Sequence, residues 1–427
     1  MSKVINLLAR NIHDITFDDV AEFCKQKVLE SVQLDYKQNI PRDLAKHFAT
    51  FSNTQGGLII IGVGEDSATG LPTTYDGIPN DSKHVDRIHQ FAANVTPLPT
   101  YDIHTTDEQS GKVFILVRIY EGTAPPYTTL NDPTVWIRTG NISTPASREE
   151  LLRLANKRRD AETTRLAKIA FAEQYFLARV AEADQEREQA IQAGDTNIHL
   201  YPLGSKEHSA MLSLTLQPYY PLRQLTTPPE LLSRLLEYCG QECQRTEFYR
   251  HRVDTLPGGI AGFSSSKVSG SVVGEQLYAD GMYNLMEDVL AEQDHKPLKA
   301  VNMNIIATDM YSRLKIVQSF YKTTGYSGLI VGTINLKGGS GAEVLPLLSP
   351  TGRAWLPPQC GKVRLSSYDW SFELDTATLY DEAALNQFFS KIIRDISWGL
   401  GIPEVPQAII NSVLQYYRWL APAPSNP

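Results

Sequence analysis

Cysteine is scarce in this chain, and positive charge is in deficit. Four cysteines among 427 residues (Cys24, Cys239, Cys243 and Cys360) are too few to frame a fold of this size with disulfides. Cys239 and Cys243 lie one helical turn apart and His251 follows, but no second close pair completes the ligand set of a structural zinc site. The thiols read as buried side chains. The 40 Lys and Arg against 48 Asp and Glu give a formal net charge of −8, so any affinity for a polyanion must come from a local patch. No apolar run approaches bilayer thickness, and residues 1–10 lack the apolar stretch and small-residue cleavage site of a signal peptide. A cytoplasmic protein with no membrane partner is expected. Also missing are a P-loop, a dinucleotide-binding glycine fingerprint and a nucleophile elbow. The glycines of Gly56-Gly57, Gly258-Gly259 and Gly338-Gly339-Ser340-Gly341 read as turns, and no repeat or low-complexity segment is visible.

What is present is an ordinary globular composition, 42% hydrophobic and 21% charged, in a chain long enough for more than one core. Thr16-Phe17-Asp18-Asp19 resembles a capping box and opens a helix through Val20, Phe23 and Cys24. A second helix follows Pro41, with Leu44, Phe48 and Phe51 apolar. A third spans 82–94, with Val85, Ile88, Phe91 and Val95 along one side and His84 and His89 at the surface. Strands are expected at 101–104 and 113–120 around a Ser110-Gly111 turn, the second central, and shorter ones at 126–130 and 135–137.

From Ser147 to about Ala193 the chain is rich in Ala, Glu, Arg, Leu and Gln and lacks proline, which predicts one long helix or two broken ones. Arg148, Arg153, Lys157, Arg158, Arg159, Arg165 and Lys168 cluster there, but acids interrupt them, as on a solvated helix face laced with ion pairs. Beyond Ala193-Gly194-Asp195, strands are expected at 209–217, 269–278, 303–307, 326–336 and 362–374. Helices are expected at 230–239, 282–293, around Tyr311 to Phe320, and at 382–398 and 405–420. The expected organisation is an α/β (α+β) domain over residues 1–146, a helical linker over 147–195 and a second α+β domain over 196–427.

Residues 30–66 carry the chemistry. Val32-Gln33-Leu34-Asp35-Tyr36-Lys37 alternates like a half-buried strand, which puts Asp35 and Lys37 on one face with Glu30 just before it. Asn53-Thr54-Gln55-Gly56-Gly57 stops a helix and turns the chain, and Leu58 to Val63 reads as a buried strand that delivers Glu65 and Asp66 at its end. If these strands are neighbours, three carboxylate positions and a lysine converge at one sheet edge. Such a group suits phosphodiester cleavage, because clustered carboxylates take Mg²⁺ or Mn²⁺ and lysine steadies a phosphate. Residue types alone leave open a solvated or helix-capping role for Glu30 and Asp35.

This run resembles the nucleic-acid-binding core of the Schlafen family, a divergent Alba-like domain. The family pattern is Glu-Ser-x-x-x-(Glu/Asp)-aromatic-Lys, then Asn-Thr-x-Gly-Gly, then an apolar strand ending Gly-Val with acids after it. Glu30-Ser31 to Lys37, Asn53 to Gly57 and Leu58 to Asp66 meet it in order, and Trp136-Ile137-Arg138-Thr139-Gly140-Asn141-Ile142-Ser143-Thr144 resembles the closing element. The resemblance covers roughly residues 15–155. It implies a metal-dependent nuclease acting on structured, tRNA-like RNA, with Glu30, Asp35 and Glu65 or Asp66 as acids and metal ligands. Lys37 and Arg138 would touch nucleic acid, although Arg138 also suits a structural salt bridge. Family nucleases join two related lobes into a clamp, whereas one copy of the pattern is present here, so a homodimer is expected. The second domain would be a sensor or substrate-positioning module in phage defence. The alternative is a non-catalytic, nucleic-acid-binding transcriptional regulator.

Overall fold

The computed structural model describes residues 7–66, 69–198, 202–203, 210–220, 224–250, 253–266, 270–293, 296–345 and 362–420. Cys360 and His251 lie outside them. The fold is α+β, and contacts divide it into two compact units. The first comprises Met1–Thr163, Thr324–Leu329 and Asp375–Tyr380, and the second comprises Thr164–Thr323, Ile330–Leu374 and Asp381–Pro427. The division falls inside the long helix.

In the first unit, helix α1 (Phe17–Lys25) opens on the expected capping box, with Thr16 and Asp19 bonding each other's backbone N–H. Strand β1 (Leu34–Lys37), helix α2 (Leu44–Asn53) and strand β2 (Gly57–Ile61) follow, then the short pair β3 (Gly64–Glu65) and β4 (Pro72–Thr74) and helix α3 (Lys83–Ala93). Strands β5 (Tyr101–Thr105) and β6 (Ile115–Ile119) complete a four-stranded mixed sheet in the order β1-β2-β6-β5. β1 runs parallel to β2, and the other two pairings are antiparallel. A hairpin, β7 (Trp136–Thr139) and β8 (Ile142–Pro145), leads into α4 (Arg148–Gln192), one unbroken helix of 45 residues.

The apolar run of β2 is buried on both sides. Leu58 and Ile60 join Leu34, Tyr36 and Leu116 in one core with α1, while Ile59 and Ile61 join Ile115, Val117 and the α2 residues Leu44, Phe48 and Phe51 in another. The glycine pair before it is a packing requirement. Gly56 has φ +65°, and a Cβ on Gly57 would come within 2.4 Å of the Phe51 ring and 2.6 Å of the Gln33 carbonyl oxygen.

In the second unit, β9 (Ala210–Pro218) is followed by α5 (Pro228–Ser233), α6 (Leu235–Cys239) and α7 (Glu247–Arg250). Then come β10 (Asp254–Leu256), β11 (Gly259–Ser265), β12 (Val272–Tyr278), β13 (Tyr283–Asp288), β14 (Leu290–Gln293), β15 (Lys296–Asn302), α8 (Met303–Thr324), β16 (Leu329–Gly338), β17 (Glu343–Leu345) and β18 (Ser367–Asp375). The short α9 (Thr376–Tyr380) belongs to the first unit, and helices α10 (Glu382–Gly399) and α11 (Gln407–Leu420) of the second end the described chain. A seven-stranded sheet has the order β10-β11-β12-β13-β9-β16-β18, and β14-β15-β17 form a smaller one. From Ile169 onward α4 lies on the larger sheet, and Gly274 leaves room for Phe176, whose ring a Cβ would approach to 2.4 Å.

Two expectations fail here. Residues 282–293 are strands, not a helix. Met282, Leu285, Met286 and Val289 fall at i, i+3, i+4 and i+7, but strand pairing on both sides with β12 and β9 buries Tyr283 to Met286 whichever way they point. The strand expected at 303–307 is the start of α8. Its strand precedes it as β15, and the Asn302 side chain accepts a hydrogen bond from the Asn304 N–H at the helix start. Cys24, Cys239 and Cys243 are free and buried. No helix among the described residues is long and apolar enough to cross a membrane.

Candidate functional site

β1 alternates as its sequence predicts. Leu34 and Tyr36 enter the core with α1, and Asp35 and Lys37 take the other face, beneath α2. Asp35 is 1% exposed. Lys37 Nζ stands 2.7 Å from its Oδ1, and on the Oδ2 side lie His47 Nδ1 at 3.0 Å and an Arg138 nitrogen at 3.5 Å. The His47 approach has ion-pair distance but not hydrogen-bond alignment. Burial by itself would raise the Asp35 pKa. The His47 contact, the Glu30 hydrogen bond and the Lys37 charge outweigh it and hold this carboxyl far below the usual carboxylate range.

Glu30 arrives from the loop before β1, where Gly70 accepts its backbone N–H. One of its oxygens accepts the Tyr36 N–H at 2.7 Å, and its carboxyl is hydrogen-bonded to those of Asp35 and Glu65. Burial first, then the Asp35 carboxylate, pushes its pKa up to about 9. A half-buried glutamic acid that keeps its proton at neutral pH beside an ionised aspartate is the kind of perturbation that clusters at functional sites. Glu65, at the end of β3, stands 3.9 Å from Lys37 Nζ.

The structure thus brings Glu30, Asp35, Lys37 and Glu65 together and turns Asp66 away. Asp66 is exposed, and its Oδ1 accepts from the Thr69 N–H at 2.9 Å and the Thr69 hydroxyl at 3.0 Å, closing a turn. Arg138 lies inside. Its side chain is 1% exposed, donates to the carbonyls of Ser31 and Leu34 at 2.9 Å each, and lies 4.7 Å over the Phe51 ring. It braces Asp35 and the start of β1 and does not face solvent. Asn53 fastens the far end of α2 by three hydrogen bonds, to Tyr127 (both N–H and carbonyl) and to the Trp136 carbonyl. Sequence reasoning missed His47. It sits at i+3 from Leu44 and i−4 from Phe51, a polar residue inside the apolar stripe of α2, and that position was its signal.

The family model described as "Schlafen, AlbA_2" matches residues 30–147, the segment from the first of these acids through the hairpin that carries Arg138. Over this segment the chain is similar to the Schlafen family. A solution NMR structure of the N-terminal domain of a RecG-related protein from Nitrosomonas europaea is similar over 31% of this chain and 93% of its own, at 15% identity and a TM-score of 0.24. No curated protein matches.

Three of the basic residues at the start of α4 are engaged within their own units. Lys157 pairs with Glu121 in the first unit, and in the second Arg165 lies over Tyr219 and Lys168 pairs with Asp280. As the side chains stand, no three His, Cys, Asp or Glu residues among those described are set to hold a metal ion. The donors of the cluster are still of the hard-oxygen kind that Mg²⁺ and Mn²⁺ take, and the proton between Glu30 and Asp35 is what such an ion has to replace.

Proposed function

We propose that the Schlafen domain is a metal-dependent endonuclease acting on structured, tRNA-like RNA. A nucleic-acid-related role follows from the family. What supports cleavage is the meeting of Glu30, Asp35, Glu65 and Lys37 at one end of the sheet, with carboxyls of opposite protonation state in contact. Lys37, partly exposed, meets the phosphate, and Asp35 beneath it fixes the ammonium. Glu30, Asp35 and Glu65 would hold Mg²⁺ or Mn²⁺, which activates water and neutralises phosphate charge when bound. Arg138 positions Asp35 from within.

A homodimer would supply the second face of a clamp. Leu152, Leu166, Leu177 and Ile191 are each more than a third exposed and fall within one stripe along α4. The second unit would sense or position the substrate, a division of labour that suits phage defence in the cytoplasm.

One observation favours a second reading. Asp35 is almost wholly buried and already faces three basic side chains. The network is then a brace, and the domain is a regulator that binds nucleic acid without cutting it. Purified protein incubated with tRNA and with single- and double-stranded DNA, in Mn²⁺ or in EDTA, decides between them. Cleavage of tRNA in Mn²⁺ that stops in EDTA supports the nuclease. Binding with no cleavage of any substrate supports the regulator.

A further inference from the structure

The second unit holds a cavity of about 320 Å³ between α4 and the large sheet. Phe176, Met211, Met286 and Trp370 give it apolar walls. Its floor is polar. Ser213 and Thr215 of β9 lie directly opposite Asn335 and Thr333 of β16, and all four line the cavity. Beside them Asn284 of β13, opposite Thr215, donates to the Thr215 hydroxyl at 3.3 Å. A sheet face covered by an apolar helix face is ordinarily filled with Val, Ile and Leu, because a buried amide or hydroxyl costs free energy unless it is hydrogen-bonded. Here the accounts do not close. Asn335 Nδ2 donates to Asp369, but its Oδ1 is buried and accepts nothing among the described residues, and the same holds for Asn284 Oδ1.

The walls are fixed before anything binds. Trp370 stacks on Tyr368 with the rings 9° from parallel and centroids 5.7 Å apart, and a Cβ on Gly399 would come within 2.8 Å of the indole. Phe176 is held by Gly274 and by an edge contact with Phe263. Three charged residues line the cavity, Glu173, Lys337 and Asp369. Lys337 and Glu173 pair at 2.6 Å, both partly exposed.

We propose that this cavity binds a nucleobase. Flat, rigid aromatic walls and thioethers select a planar ring. The Asn335 amide and the hydroxyls of Ser213, Thr215 and Thr333, which line the floor, donate to or accept from the edge of the ring. The Ser, Thr and Asn side chains of the floor select a neutral ring, and the charged lining residues Glu173, Lys337 and Asp369 are left to the sugar and phosphate. The volume is that of a small-ligand site, where a few convergent polar groups in an apolar cleft set orientation. The base can belong to a free nucleotide or to an unpaired end of a nucleic acid. The proposal stands independently of the nuclease reading, since it uses no residue of the Schlafen domain.

The test is tryptophan fluorescence and calorimetry on the full chain, titrated with the four common nucleosides, their 5′-monophosphates and short single-stranded oligonucleotides. At least one base should bind and change the emission. Asn335→Leu should weaken that binding tenfold or more, and Thr333→Val should weaken it less, each with an unchanged thermal midpoint. Binding of nucleosides identifies a free metabolite as the source, and binding confined to oligonucleotides identifies a nucleic-acid end. The proposal is overturned if no base-containing probe binds. It is equally overturned if Asn335→Leu and Thr333→Val, both folded, bind as the parent does.

Discussion

Glu30 and Asp35 hold a proton between their carboxyl groups: the first keeps it up to about pH 9, and the second stays ionised far below its ordinary range. Two carboxylates in contact cannot both be charged without a third partner, so the pair's state depends on pH and on any cation that enters.

Metal affinity should therefore depend on pH. Binding at Glu30 displaces its proton, so apparent Mn²⁺ affinity should rise by about tenfold per pH unit below the Glu30 pKa and level off above it. Titration calorimetry at several pH values measures the slope. A pH-independent affinity would remove Glu30 from the ligand set.

Stability should carry two opposite signatures. The depressed Asp35 contributes stability that is present above its unfolded value, 3.8, and is lost as pH falls through its folded pKa. Glu30 contributes stability that is full below its unfolded value, 4.5, and is lost as pH rises toward about 9. Glu30→Gln mimics the protonated acid, so the variant should gain on the parent between neutral pH and pH 9. Urea midpoints across that range test this, and parallel curves for the two proteins would refute it.

Glu65 and Asp66 should part company. Glu65→Gln should lower cleavage at least tenfold because Glu65 faces Glu30 and Lys37. Asp66→Asn should leave the rate within about twofold and cost at most ~1 kcal/mol through its turn. Equal losses in the cleavage assay would mean that the chain end of β3 is misassigned.

Arg138→Met should behave as a stability mutant. It leaves a buried carboxylate short of a partner and two carbonyls unpaired, at a cost of about 3–5 kcal/mol. Denaturation should show that loss, and where the variant still folds its affinity for nucleic acid should fall little. A well-folded variant that no longer binds would restore Arg138 to the interface.

Leu166→Glu with Leu177→Glu should convert a dimer into a monomer without loss of secondary structure, as read by light scattering and circular dichroism. A parent that is monomeric with and without RNA, yet cleaves it, would rule the dimer out.

Sequence alone determined the parts of the site set by local periodicity and sterics. A two-residue repeat put Asp35 and Lys37 on one face, a continuous apolar run made β2 central, and Gly56-Gly57 permitted a close turn that no side chain allows. Tertiary structure decided what local pattern leaves degenerate. The spacing in 282–289 suits a helix or a doubly buried strand, and only neighbours on both sides chose the strand. Arg138 is equally able to face a phosphate or a carboxylate, and the buried charge of Asp35 drew it inward. Glu65 and Asp66 are adjacent in sequence, but the turn closed by Thr69 sent the second away. Burial and the approach of distant charges set protonation, so the shared proton of Glu30 and Asp35 exists only once β1 and the loop before it are folded against α2.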